Sequence, residues 1–205
     1  MRLAILGATG FIGSEVVVQS IAAGHQVIAL TRRAAILPVR PGLVVVEGDA
    51  ADQRALARLL AEADAVISCV GGTGDLAAIM AGLLDAMRAA GVRRLVAISG
   101  AGISVAGERK PLRHRLASAM VRRLAARTVA AKQAEYEVLS ASEGIDWVTL
   151  RPPRVVDGPP SGKARPSVDA SQMAFRVSRG DVAALMLQEL TDDRFLRQAV
   201  YIATI

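Results

Sequence analysis

The chain has 205 residues, a mass of 21.4 kDa, a formal net charge of +6 and 52% hydrophobic residues, which suffices for one well-buried core and falls short of two full domains. No apolar run approaches the roughly 18 residues that span a bilayer, and the Met start leads into an apolar strand with no signal-type segment. The basic balance raises nucleic acid as a partner, but 3% aromatic residues, the lack of a helix-turn-helix pattern and the lack of a Cys/His metal set argue against direct nucleic-acid binding and against a metal site.

In chain order, Arg2 to Leu6 reads as a strand that breaks into Gly7-Ala8-Thr9-Gly10-Phe11-Ile12-Gly13 and then becomes helical to about Ala23. Gln26 to Leu30 and Leu43 to Glu47 are the next strands, and a helix follows from about Asp52 to Ala61. Ala65 to Val70 is a fourth strand. A helix from about Asp75 to Ala90 carries Leu76, Ile79, Met80, Leu83, Leu84 and Met87 at three- and four-residue spacing, and Gly91 closes it. Leu95 to Ser99 is a fifth strand. After a Gly/Ser/Pro-bearing stretch at Gly100 to Leu112, a basic helical region runs from about Arg113 to Ser142, and Asp146 to Leu150 forms a sixth strand. Prolines and glycines then accumulate to Ser171, which marks a loop-rich segment outside the core, a substrate lobe or a surface loop. Gln172 to Val177 adds a short strand, Asp181 reads as the N-cap of a helix to Leu190, and Val200 to Ala203 closes the chain. Alternation of this kind predicts a single α/β domain over residues 1–205, a doubly wound parallel Rossmann sheet of order 3-2-1-4-5-6, with 151–205 supplying a short substrate-side extension.

The glycine run is a dinucleotide clamp in its proper context. Gly7 lets the chain turn off the strand, Gly10 lets a pyrophosphate approach bare backbone, and Gly13 lets the helix pack close to the strand. With Thr9, Phe11 and Ile12 they place the phosphates at the helix N-terminus, where unpaired N–H groups and the dipole favour an anion. At the end of the second strand, where a NAD-preferring site has an acid, stand Thr31, Arg32 and Arg33. Two guanidiniums clasp a 2′-phosphate, and charge-assisted bonds of about 1.5–3 kcal/mol each give roughly a ten- to hundredfold preference for NADP(H). In Gly48-Asp49-Ala50 the Asp49 carboxylate either accepts from the adenine amino group or caps the following helix. Val70-Gly71-Gly72 offers a backbone approach to the cofactor, and Ser99 stands beside the nicotinamide. Cys69 has no internal disulfide partner, which fits a reducing cytoplasm, and it reads as a buried side chain rather than a reactive thiol.

Gly7 to Gly13, Arg32, Asp49, Ser99-Gly100-Ala101-Gly102, Lys132, the run Gly144 to Pro153 and Arg179-Gly180-Asp181-Val182-Ala183 resemble the atypical short-chain dehydrogenase/reductases. Within these the chain is similar to the NAD(P)-binding group of NmrA-like proteins and the flavin reductase/biliverdin reductase B type. The resemblance implies that Gly100 belongs to the cofactor site, that Pro152 and Pro153 border the nicotinamide, that Arg154 reaches toward substrate, and that Lys132 binds the ribose or shapes the local field. Members that act on ketones or alcohols place a Tyr four residues before the Lys, and here that position is Thr128, far too weak an acid. Tyr136 comes four residues after Lys132, displaced by a helical turn, and reads as a packing residue. The leading expectation is therefore an NADPH-dependent reductase that passes hydride to a planar conjugated small-molecule acceptor, flavin-like or quinone-like, with Ser99 and Lys132 as the catalytic pair. A non-catalytic NADP(H)-binding redox sensor of the NmrA-like type explains the missing tyrosine equally well, and a sugar-nucleotide epimerase is weakened by the same gap.

Overall fold

A computed structural model describes residues 1–108, 111 and 123–204. The sequence expectation of a helix beginning at about Arg113, and most of the cationic clusters at Arg109 to Arg115 and Arg122 to Arg127, lie outside the described residues.

Strands β1 (Arg2–Leu6), β2 (Gln26–Thr31), β3 (Leu43–Glu47), β4 (Ala65–Ser68), β5 (Arg94–Ile98) and β6 (Asp146–Arg151) form a parallel array in the order 3-2-1-4-5-6, as expected. Two further strands extend it beyond β6. Strand β10 (Gln198–Thr204) runs parallel to β6, and β8 (Ala164–Ser167) returns antiparallel on the outer edge. The expectation that 151–171 lies wholly outside the core is thus corrected, because β8 pairs the polar edge that β10 would otherwise expose. Pro166 lies within β8, where an edge strand tolerates the missing donor. A separate ribbon pairs β7 (Arg154–Val156) with β9 (Arg176–Ser178), so the strand expected from Gln172 to Val177 is corrected: Gln172 ends a short 3-10 turn from Ala170, and the strand begins only at Arg176.

Helices α1 (Gly13–Ala22) and α5 (Arg179–Gln188) cover one face of the sheet, and α2 (Gln53–Leu60), α3 (Leu76–Ala90) and α4 (Ala126–Ser140) cover the other. Period-two alternation divides the strands between two cores. Leu3 and Ile5 of β1 join Val16, Val17, Val182 and Met186 on the α1/α5 side, whereas Ala4 and Leu6 join Leu56, Leu59, Met80 and Leu83 on the other. Asp75 caps α3 through Ala78 N at 2.9 Å, and Gly91 ends that helix at φ 72°. The expected cap at Asp181 is corrected. Ser178 Oγ accepts from Asp181 N at 2.9 Å, and Asp181 sits three residues inside the helix, its carboxylate accepting from Ser161 N at 2.7 Å and from the Ser178 hydroxyl at 2.9 Å.

Candidate cofactor and active site

Two glycines in the first turn are dictated by contact. A Cβ on Gly7, whose φ is 73°, would lie 2.6 Å from the Cys69 carbonyl oxygen, and one on Gly13 would lie 2.1 Å from the Gly7 carbonyl oxygen. The strand-to-helix turn closes only without these side chains. Gly10 N donates to Gly7 O at 3.0 Å, and α1 begins with Ile12 in the N-cap position, which supplies no side-chain acceptor. The positive end of α1 is therefore left uncapped by side chains at the carboxyl edge of the sheet. Phe11 projects outward, half exposed, with the Arg179 guanidinium 5.3 Å above its ring. Ile12 packs against the α1/α5 core, so these two residues present backbone to the turn.

A cleft of about 450 Å³ runs along this edge. It brings together Gly7, Thr9 and Gly10 of the turn, Thr31, Arg32 and Arg33 after β2, Gly48, Asp49 and Ala50 after β3, and Val70 and Gly71 after β4. Thr31 Oγ1 accepts from Arg33 N at 3.2 Å, which folds the chain back and sends both arginine side chains outward. Among the described residues neither guanidinium has an acidic partner, so both are available to an anion. Asp49 does not cap α2. Asp52 does, accepting from Arg54 N at 2.9 Å, while Asp49 Oδ1 accepts from Ala51 N at 2.9 Å and its residue remains at the cleft. Leu30, Ile36, Leu76 and Ile79 supply apolar walls that no motif announces, and the half-exposed Ile36 is the one that composition makes conspicuous. Cys69 lines the cleft too, but burial pushes its thiol up to about 12, with only partial relief from Lys132, and its Sγ lies 3.8 Å from Met186 Sδ. Half-buried, it packs against the α1/α5 core.

Gly13, Gly72, Ser99, Gly100, Pro152 and Pro153 fall outside the lining of this cleft; all but Gly13 lie past the carboxyl ends of β4, β5 and β6. Ser99 N donates to Leu150 O at 2.8 Å, while its Oγ is buried without a hydrogen-bond partner among the described residues. Ala101 N donates to Pro152 O at 3.1 Å, tying the loops after β5 and β6 together. Arg154 stands exposed on β7, away from the cleft lining.

Lys132 is where the expectation fails. Its ammonium donates to Val70 O at 2.6 Å, Ile98 O at 2.8 Å and Glu135 Oε2 at 2.6 Å, and the residue is 8% exposed. An ammonium has three donors, so none remains for a ribose. Lys132 is a strap across the carboxyl ends of β4 and β5. Burial raises the Glu135 pKa, and the Lys132 charge and hydrogen bond pull it back. Thr128 is exposed on α4, and Tyr136 packs edge-on to Trp147 at 6.3 Å, as a packing residue should.

One buried group escaped the sequence reading. Arg151, 1% exposed, donates to Glu108 at 2.6 and 3.3 Å and to Ile103 O at 2.7 Å, and its guanidinium lies 4.2 Å from the Tyr201 ring centre. Tyr201 also hydrogen-bonds Glu108. This lattice pins the loop after β5 onto β6 and β10. The Arg-Pro-Pro run flagged the position but not the partner, which lies 43 residues away.

The turn, the uncapped helix and the cation-rimmed cleft fit a phosphate-bearing dinucleotide, and together with the sheet order they mark a Rossmann-type NAD(P)H-binding protein. The chain belongs to the NAD(P)H-binding family, whose model matches residues 7–193. Among curated relatives, the isoflavone reductase homolog IRL of Zea mays is 29% identical over 98% of this chain and 68% of its own length, and eugenol synthase 1 of Petunia hybrida is 26% identical over the same shares. Among solved structures, the anaerobilin reductase ChuY of Escherichia coli superposes with a TM-score of 0.84 at 23% identity, covering 100% of this chain and 97% of that one. A short-chain dehydrogenase/reductase of Veillonella parvula in complex with NADP gives a TM-score of 0.81 at 21% identity over 98% and 94% of the two chains. Among the described residues no helix is long and apolar enough to cross a membrane.

Proposed function

We propose that this protein is an NADPH-dependent reductase that delivers hydride to a planar, conjugated acceptor of flavin or quinone type. The observation that carries the reading is the pairing of an exposed Thr128, where ketone-reducing relatives have a phenol, with a buried Ser99 hydroxyl after β5 that has no hydrogen-bond partner among the described residues. A conjugated ring needs stacking and orientation more than a dedicated phenolic acid, since its reduced nitrogen or oxygen takes a proton from a nearby hydroxyl or from water. The likeness to the anaerobilin reductase ChuY and to isoflavone reductase homologs supports a reductase.

Arg32 and Arg33 hold the 2′-phosphate, the α1 N-terminus faces the pyrophosphate, and Asp49 accepts from the adenine amino group. Bound NADPH supplies the hydride, so that NADPH, acceptor and one proton give NADP⁺ and the two-electron-reduced acceptor. Ser99 orients the acceptor or passes it the proton. Lys132 is a positioning residue, holding the ends of β4 and β5 where Val70 and Ser99 meet the ligand. The test is NADPH consumption by the purified protein with FMN, a benzoquinone, and a simple ketone or aldehyde. Oxidation with the conjugated acceptors and hardly any with the carbonyl compounds is expected; cofactor binding without turnover of any acceptor replaces this reading with the sensor.

A further inference from the structure

The two outer edges of the sheet are finished differently. The β8 edge carries the usual protection against further pairing, a short strand with Arg165 exposed and Pro166 lacking a donor. The β3 edge carries none. Its run Leu43-Val44-Val45-Val46-Glu47 holds no proline and no charge before the last position, and Val44 is 59% exposed. Among the described residues β3 has β2 on one side and no strand on the other.

The register shows which backbone groups face outward. Val27 N donates to Gly42 O at 2.7 Å and Gly48 N donates to Thr31 O at 2.9 Å, so Gly42, Val44, Val46 and Gly48 turn their peptide groups to β2. Leu43, Val45 and Glu47 turn theirs away from it. At the two ends one group is already taken: Leu43 N donates to Arg40 O at 3.2 Å, and Glu47 O accepts from the Arg58 guanidinium at 2.8 Å. The Val45 N–H and C=O, the Leu43 C=O and the Glu47 N–H have no partner among the described residues. Val46 packs on the α2/α3 core and Leu43 on the α1/α5 core, so period-two alternation puts the exposed Val44 on the same face as Val46.

We propose that the β3 edge is a self-association surface, on which a second copy of this chain pairs β3 against β3, antiparallel about a two-fold axis at Val45. In that register the two Val45 residues exchange both of their hydrogen bonds, and each Glu47 N–H meets the Leu43 C=O of the other copy, so every free edge group finds a partner. Val44 of one copy comes opposite Val46 of the other in the closer, non-hydrogen-bonded pairs, which covers the exposed valine. Charge selects the same arrangement. The segment is basic at its start, with Arg40, and acidic at its end, with Glu47 and Asp49, so antiparallel copies bring opposite charges together where parallel copies would bring like charges. The carboxyl edges of the two sheets then point in opposite directions, which leaves both cofactor clefts open. One short strand pair makes a small interface, so the dimer is weak and depends on concentration.

Analytical ultracentrifugation of the full chain tests this. The mass should move from 21.4 kDa toward twice that value, and no further, as concentration rises from about 1 µM to about 1 mM. Val44→Lys sets a charge against Val46 of the other copy, and Val45→Pro removes an outward N–H that the ladder to β2 does not use. Each should weaken dimerisation by about tenfold or more while NADP⁺ affinity stays within about twofold of the parent, the Lys variant serving where the Pro variant does not fold. Val45→Cys gives a positive readout of the axis. Its two copies face each other with Cα atoms about 5.5 Å apart, within disulfide range, so mild oxidation by copper-phenanthroline should link them, whereas the parent, with Cys69 alone, should stay unlinked. A chain that is monomeric at every concentration overturns the proposal and leaves the edge to an extended segment of another protein. A dimer that survives Val44→Lys, a Val45→Cys protein that does not cross-link, or assemblies that grow past the dimer overturn it as well.

Discussion

At the scale of single residues, the site separates groups whose loss costs binding from groups whose loss costs fold. Arg32 and Arg33 reach outward from the Thr31 turn with no acidic partner among the described residues, so Arg32→Ala/Arg33→Ala should erase an NADPH preference of about tenfold or more and leave NADH affinity and stability nearly unchanged. Titration of both cofactors checks this, and equal affinities in the parent protein would sink it. Gly10 differs from Gly13 although both belong to one motif. A Cβ at Gly10 meets only Gly7 O at 3.2 Å, so Gly10→Val should fold and fail to bind cofactor, whereas Gly13→Ala forces backbone apart and should lower stability by about 1–3 kcal/mol. Ser99→Ala gives a third pattern. Its hydroxyl is buried without a partner among the described residues, so removing it should leave the melting temperature level or raised while turnover falls by up to about 10²–10⁴, or by less if Ser99 only orients the acceptor.

At the scale of elements, the Lys132 strap shows what one side chain does for two strands. Lys132→Met would leave two strand-end carbonyls without their donor and the buried Glu135 carboxylate without its counter-charge, a loss of about 3–5 kcal/mol in urea unfolding. Lys132→Met/Glu135→Met should recover much of that stability, because it removes the stranded charge, and no recovery would assign the loss to the carbonyls alone. The same elements explain what could be read beforehand. The parallel strands, the α3 periodicity and the Gly91 stop are local signals, visible in a window of a few residues. The strap was not, since Val70 lies 62 residues and Ile98 34 residues from Lys132, and family spacing pointed the ammonium at a ribose instead. Asp181 misled for a related reason: Asp and Ser both cap helices, and the choice between Ser178 and Asp181 depends on where Ser161 comes to rest. The cleft's glycine and arginine rims were legible from motif spacing, whereas Leu30, Ile36, Leu76 and Ile79 carry no mark that separates a cleft wall from core.

At the scale of the whole molecule, the amino edge of the sheet holds a titration that the cofactor edge does not. Glu189 follows α5 with no exposed surface, and neither carboxylate oxygen has a hydrogen-bond partner among the described residues. Arg94 bonds its backbone carbonyl at 3.0 Å rather than its carboxylate. Burial first, and then Asp192, raise the pKa to about 7 against the pull of Arg94 and Arg194, and the negative end of the α5 dipole works in the same direction. An unfolded glutamate titrates near about 4.3, so the folded state binds this proton more tightly than the unfolded chain does. The stabilisation is complete at low pH, declines as pH rises above about 4.3, and is gone once pH has passed through about 7. The buried Asp181 acts oppositely: burial works against its ionisation, but its bonds from Ser161 and Ser178 hold its pKa below the usual value, so its contribution is lost only as the solution becomes strongly acidic. Urea unfolding between about pH 5 and pH 8 should therefore show stability falling with pH. Glu189→Gln keeps the neutral shape and removes the titration, so it should match the parent near pH 5 and exceed it at pH 8. A parent and variant with parallel pH profiles would show that Glu189 ionises in the fold as it does in water.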